Sequence, residues 1–105
     1  MATTFSKVLL SGSTNGKAVK VAATATAGTT IHATGTSATI LDEIWIYAVN
    51  SSASSVKLTI EWGEATAPDG NIEVTVLPEA GLVTIIPGLV LSGTGSAATT
   101  VKAFA

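Results

Sequence analysis

The sequence has 105 residues, of which 47% are hydrophobic and only 11% are charged, and its formal net charge is −2. This length fits a single domain over residues 1–105, and the absence of cysteine excludes disulfides as a source of its stability. The five positive charges are all lysines scattered along the chain, and no apolar stretch approaches the length of a membrane helix. We therefore expect no nucleic-acid partner and no membrane span.

The first third of the chain predicts two strands, Phe5–Leu10 and Lys17–Thr26. The residues between them include an Asn-Gly pair at 15–16, which favours the positive φ angles of a tight hairpin turn. Residues 1–16 fit either a peripheral strand or an arm of the domain. The Ala- and Thr-rich stretch Lys20–Thr39 fits either a tightly packed strand pair or a partly ordered arm, and composition leaves both open.

Six further strands follow, separated by turn-forming residues at intervals of roughly 8–12 residues, as in sandwiches and small barrels. Val, Ile, Thr and aromatic residues dominate these segments. About eight strands in total predict an all-β fold, a single-domain antiparallel β-sandwich that is jelly-roll-like. The six are Thr29–Ala33, Glu43–Asn50, Val56–Trp62, Ile72–Leu77, Leu82–Ile86 and Thr99–Phe104.

The segment Leu41–Asn50 is unusual because it is apolar on both of its faces. Successive side chains of a strand alternate between faces, so this strand needs a core on one side and a second apolar partner on the other. The core face is predicted to hold Ile44, Ile46 and Ala48. The candidate interface with another chain is formed by Trp45, Tyr47 and Val49, with Val83 and Ile85 as the next choice.

Two later strands differ in their predicted faces. Val56–Trp62 alternates cleanly, which predicts its even-numbered residues in the core and Lys57, Thr59 and Glu61 in solvent. The segment Gly81–Leu91 is apolar on nearly every position, so it fits a central strand or an interface strand. Because proline removes a ladder donor, we expect this strand to end or bend at Pro87.

Residues that could carry chemistry are few. His32 is the single histidine, and a serine triad would need it beside a serine and an aspartate, with no Gly-x-Ser-x-Gly elbow to mark that serine. Asp69, Asn71 and Glu73 offer alternating oxygen ligands, but most of a calcium loop is missing and a turn followed by a strand explains them. The sequence thus predicts no enzyme activity, no catalytic residue, no metal and no cofactor.

From about Gly28 onward the chain resembles a family of small virion proteins of tailed bacteriophages. The similarity is carried by a D-E-I-W-I-Y-A-V-N strand, the L-T-I-E-W-G that follows it, and a G-L-V-x-x-x-P-G-L-V-L segment. Members of this family often continue past the A-F-A motif with another strand, whereas this chain stops at Ala105. Among such proteins, the size and the all-β pattern are most similar to a capsid decoration, or cement, protein.

This resemblance implies a structural protein that binds the outer surface of the phage head and stabilises the capsid, after synthesis in the host cytoplasm. Its implied partners are itself, as a homo-oligomer and specifically a trimer, and the major capsid protein. A tail, collar or head-fibre component is an alternative within the virion. An alternative of another class is a carbohydrate-binding module for host attachment, with Trp45 and Tyr47 as a stacking platform for sugars.

Overall fold

The computed structural model describes residues 6–105, which form six β-strands and no helix. The described residues therefore contain no helix that could cross a membrane. The strands are β1 (Thr29–Ala33), β2 (Leu41–Ala48), β3 (Val56–Trp62), β4 (Asn71–Val76), β5 (Val83–Ser92) and β6 (Thr100–Phe104).

The strands build two antiparallel sheets, which confirms the all-β prediction. One sheet has four strands in the order β1-β6-β3-β4, and the other consists of β2 and β5. The last strand of the chain, β6, thus lies between the first and the third. In this central position Ala103 is paired with both Thr29 of β1 and Ile60 of β3.

A single apolar core is built from residues of both sheets. The four-stranded sheet contributes six of the buried residues and the two-stranded sheet contributes three, so each sheet covers the inner face of the other. Leu10, Val19 and Val21 of the N-terminal segment pack against the same core. The buried residues are Ile31, Ile44, Ile46, Leu58, Ile60, Val76, Ile86, Val101 and Ala103.

The two predicted N-terminal strands are absent among the described residues. Ser6–Leu10 and Lys17–Thr26 have no strand pairing, and Phe5 lies outside the described residues. Backbone bonds here close local turns instead, because Ser13 N–H donates to the Leu10 carbonyl and Lys17 N–H donates to the Thr14 carbonyl. Side chains of Ser and Thr compete for backbone groups in such segments, which weakens the ladder that apolar alternation predicts.

The faces of β3 correct a second prediction. Leu58 and Ile60 are buried as expected, but Thr59 and Glu61, which were expected in solvent, are each only 1% exposed. The segment before β1 covers this second face at Glu61, whose Oε1 accepts a 2.6 Å hydrogen bond from Gly28 N–H. The other carboxylate oxygen accepts a 3.0 Å bond from the Thr26 hydroxyl. The four-stranded sheet therefore buries residues on both faces at this end.

Strand β5 continues through Pro87 to Ser92 rather than ending there. Its pairing with β2 shifts register twice, leaving Ile85 and Gly88 as extra residues on the β5 side. Gly88 takes a φ of +88°, which a residue with a side chain rarely adopts. The expected break at Pro87 is thus a bulge that bends the strand while pairing resumes beyond it.

Candidate interaction surface on the two-stranded sheet

Strand β2 separates its side chains onto a buried face and an open face. Ile44 and Ile46 are 2% and 6% exposed and lie in the core. On the other face, Trp45, Tyr47 and Val49 are 50%, 49% and 61% exposed. We refer to these three residues as the aromatic strip, which is an apolar surface that the described chain leaves about half exposed.

The indole of Trp45 is held in place by the bulge in β5. A Cβ atom added to Gly88 would lie 3.0 Å from Cζ2 and 3.1 Å from Cε2 of this indole. Trp45 therefore packs directly over a backbone position that has no side chain, opposite Pro87 in the ladder. This contact packs one part of the ring against the backbone, while half of Trp45 stays open to solvent.

The second pair of candidate interface residues, on β5, lies against the core and not on the exposed face. Val83 and Ile85 are half-buried and pack against the core, whereas the aromatic strip is exposed. Sequence reasoning missed several strongly exposed apolar side chains on and beside the two-stranded sheet, although the apolar run Gly81–Leu91 contained the signal for three of them. These are Ile40, Leu41, Leu82, Leu89 and Val90.

The two-stranded sheet is poor in charge. Its charged residues are Asp42 and Glu43, which are neighbours at the start of β2, and β5 has none. The chain exposes 6825 Å² of surface, whereas a monomeric globular protein of this mass is expected to expose about 5,400 Å². The difference is comparable to the surface that a subunit covers when it binds its neighbours.

His32 joins three parts of the molecule. Its Nε2 lies 2.8 Å from Oδ2 of Asp42 on β2, and its Nδ1 accepts a 3.0 Å hydrogen bond from Ser11 N–H. Since Nδ1 accepts, Nε2 is the nitrogen that donates to the carboxylate. The Ser11 hydroxyl bonds to the backbone of Ala33 instead of to the imidazole. Serine, histidine and aspartate thus meet here, but this geometry gives the hydroxyl no general base.

Two of the three candidate calcium ligands, Asn71 and Glu73, take part in local structure. Asn71 N–H donates to the Pro68 carbonyl and closes the turn, and Glu73 pairs with Lys57 across the β3–β4 ladder. Among residues 6–105, no three His, Cys, Asp or Glu side chains come close enough to hold a metal ion.

Comparison with known proteins returned no match. No protein-family model matches the sequence, and no curated protein or solved structure matches it.

Proposed function

We propose that this protein is a non-enzymatic structural component of a tailed-phage virion, a β-sandwich decoration protein that self-associates and binds the outer surface of the head. The resemblance of the segment from Gly28 onward to small phage virion proteins motivates this assignment. The observation that supports it best is the aromatic strip, because a half-exposed apolar surface of this kind suits permanent contact with another protein.

The energetics of such a contact are favourable. A standard interface buries about 800 Å² on each partner, which at ~25 cal/mol/Å² gives a gross ~20 kcal/mol before the costs of association are subtracted. Many copies on one particle multiply the effect of a modest individual contact through effective concentration. The charge-poor two-stranded sheet lowers the desolvation cost of forming this interface.

Self-association is tested by size-exclusion chromatography with light scattering across a range of protein concentrations. The unsubstituted protein should elute as an oligomer with the mass of a trimer. Replacing Trp45→Ser and Tyr47→Ser together should shift it towards the monomer, because the change removes most of the apolar area of the strip. Far-UV circular dichroism should keep its β signal, since both residues are half exposed.

The control for this experiment is Leu77→Ser, which alters an exposed apolar residue that lies outside the aromatic strip. It should leave the mass unchanged. A monomer at every concentration for the unsubstituted protein, or an oligomer indifferent to the double substitution, contradicts the interface.

The position within the particle needs imaging. Cryo-electron microscopy of virions that incorporate the protein should place its density on the outer head, around the local three-fold points of the capsid. Density at the tail, the collar or a head fibre would instead favour the alternative virion roles, which the same strands could build.

The ordered indole also favours a second candidate function, carbohydrate binding during host attachment. Trp45 packs over Gly88 and leaves much of its surface open, and Tyr47 follows on the same face, as in stacking platforms for sugar rings. A glycan array should then show binding that is lost in Trp45→Ala. An array that shows no glycan binding at high protein concentration would exclude the carbohydrate-binding function.

A further inference from the structure

The outer edge of β2 is an unpaired edge in the described chain. Strand β2 pairs with β5 on one side, and no backbone group of residues 6–105 bonds to its other side. The corresponding edge of β1 is covered, because Gly12 N–H donates to the Ile31 carbonyl and the Ser11 hydroxyl bonds to Ala33. An open strand edge readily accepts another strand.

Residues Ser6–Leu10, which we call the arm, lie beside this edge without pairing to it. Two open clefts of about 780 and 1070 Å³ lie along the arm and β2. None of the backbone groups of residues 6–9 bonds to another backbone group of the described chain. The arm is also apolar, with Val8 and Leu9 80% and 56% exposed. Two stretches of unpaired backbone, the arm and the edge of β2, therefore line the same clefts.

The corner that follows the arm is fixed. Ser11 N–H donates to His32, and Gly12 lies so close to β1 that an added Cβ would be 2.5 Å from the Ile31 carbonyl oxygen. The arm thus leaves the domain from a defined point beside β2. A second copy that approaches this side has its own arm leaving from the equivalent point.

Charge on the two edges is complementary. The arm has one charged residue, Lys7, and β2 has Asp42 and Glu43. All three residues line the larger cleft. Asp42 is engaged by His32, whereas Glu43 is exposed and makes no ion pair with the described residues. Lys7 of a second copy that entered this cleft would meet the carboxylate of Glu43.

We propose that the arm of one copy pairs as an additional strand with the β2 edge of a second copy, placing Lys7 of one chain against Glu43 of the other. This inference deepens the proposed self-association and rests on it. Exchange between copies satisfies the backbone groups of both edges, which a single chain leaves unpaired. It also makes use of the accessible surface that exceeds the expectation for a monomer.

The test uses charge reversal in separate chains. Lys7→Glu alone and Glu43→Lys alone should each weaken association, by roughly 5- to 30-fold if an attraction is replaced by a repulsion of similar size. A 1:1 mixture of the two variants should recover much of the association, because two of the three contacts in a mixed trimer then join opposite charges. Native mass spectrometry should show mixed oligomers in excess over those of either variant alone.

The matched control mixes Lys7→Glu with Glu64→Lys, which makes the same charge change at an exposed position outside β2. Because Glu64→Lys keeps both Lys7 and Glu43, it should associate with itself as the unsubstituted protein does, and mixed oligomers should not exceed its own. Recovery in the first mixture should fade as salt approaches 1 M, where charges are screened within about 3 Å. Deleting residues 1–9 should reduce the oligomer while the β circular-dichroism signal persists.

The outcomes separate this inference from the proposed function. An oligomer that neither charge reversal nor deletion of the arm weakens overturns the exchange and leaves self-association intact. Single variants that weaken but are not recovered by mixing also overturn it, since pairing within one chain gives that result. A monomeric unsubstituted protein overturns both proposals.

Discussion

The two sheets share one core but differ in what they do with their outer surfaces. The four-stranded sheet buries Thr59 and Glu61 on its second face and pairs Lys57 with Glu73 on its ladder. The two-stranded sheet leaves the aromatic strip open and one edge of β2 unpaired. On the first sheet the carboxylate of Glu61 is hydrogen-bonded within the chain, although Thr59 Oγ1 and Asn71 Oδ1 are buried without a hydrogen-bond partner among residues 6–105. On the second sheet several apolar side chains remain exposed. The two sheets therefore differ in how much of their outer surface the described chain covers.

Shortening a core residue of the four-stranded sheet should have the largest effect on stability. Ile60 is 1% exposed, and Ile60→Ala should lower the free energy of unfolding by about 2–5 kcal/mol, because it removes buried methylenes and leaves a cavity. Urea denaturation measures this loss. Ile40→Ala changes a side chain that is mostly in solvent and should stay within about 0.5 kcal/mol of the unsubstituted protein. Equal losses would show that the core lies elsewhere.

The buried carboxylate offers the next test. Glu61→Ala should lower the free energy of unfolding by about 2–3 kcal/mol, since Gly28 N–H and the Thr26 hydroxyl lose their acceptor. Glu73→Ala removes the same group from an exposed ion pair and should cost at most about 1 kcal/mol. Hydrogen exchange should become faster at Gly28 in the first variant only. If both variants behave alike, the second face of the four-stranded sheet is not covered.

A substitution in the bulge should have the smallest effect on stability, and it reports on the other sheet. Gly88→Ala combines an unfavourable positive φ with a close approach to Trp45, and should cost about 1–3 kcal/mol. Gly81→Ala has a similar φ of +71° but open space around the added atom, so it measures the backbone cost alone. In a Trp62→Phe background, only Gly88→Ala should change the fluorescence of Trp45. An unchanged emission would mean that the bulge does not hold the indole.

Predictions from the sequence were most accurate where a single physical rule determines which face of a strand a side chain occupies. The alternation along β2 correctly separated Ile44 and Ile46 from Trp45 and Tyr47, since side chains on a regular strand must alternate. The same rule failed for Glu61, because it says nothing about a non-strand segment that covers the second face. Gly28 and Glu61 are 33 residues apart in the sequence, so no local pattern indicates their contact.

Other features depended on contacts between segments that are remote in sequence. The junction of Ser11, His32 and Asp42 brings together three elements that no spacing rule connects. β5 was expected to end or bend at Pro87, and it contains a bulge there and continues, which the positive φ of Gly88 allows but the proline alone does not indicate. Local patterns predict strands and turns. Which segment covers the face or edge of a sheet depends on contacts between residues far apart in the sequence.

The central position of β6 has a consequence for how the chain acquires its structure. Residues 100–104 separate β1 from β3, so neither of these strands has its β6 partner until these residues have been synthesised. Pairing such as Thr29 with Ala103 closes a loop that spans most of the sequence, and contacts of this separation slow folding. During translation the β3–β4 hairpin precedes β6, so the four-stranded sheet can be completed only after β6 has been inserted between β1 and β3.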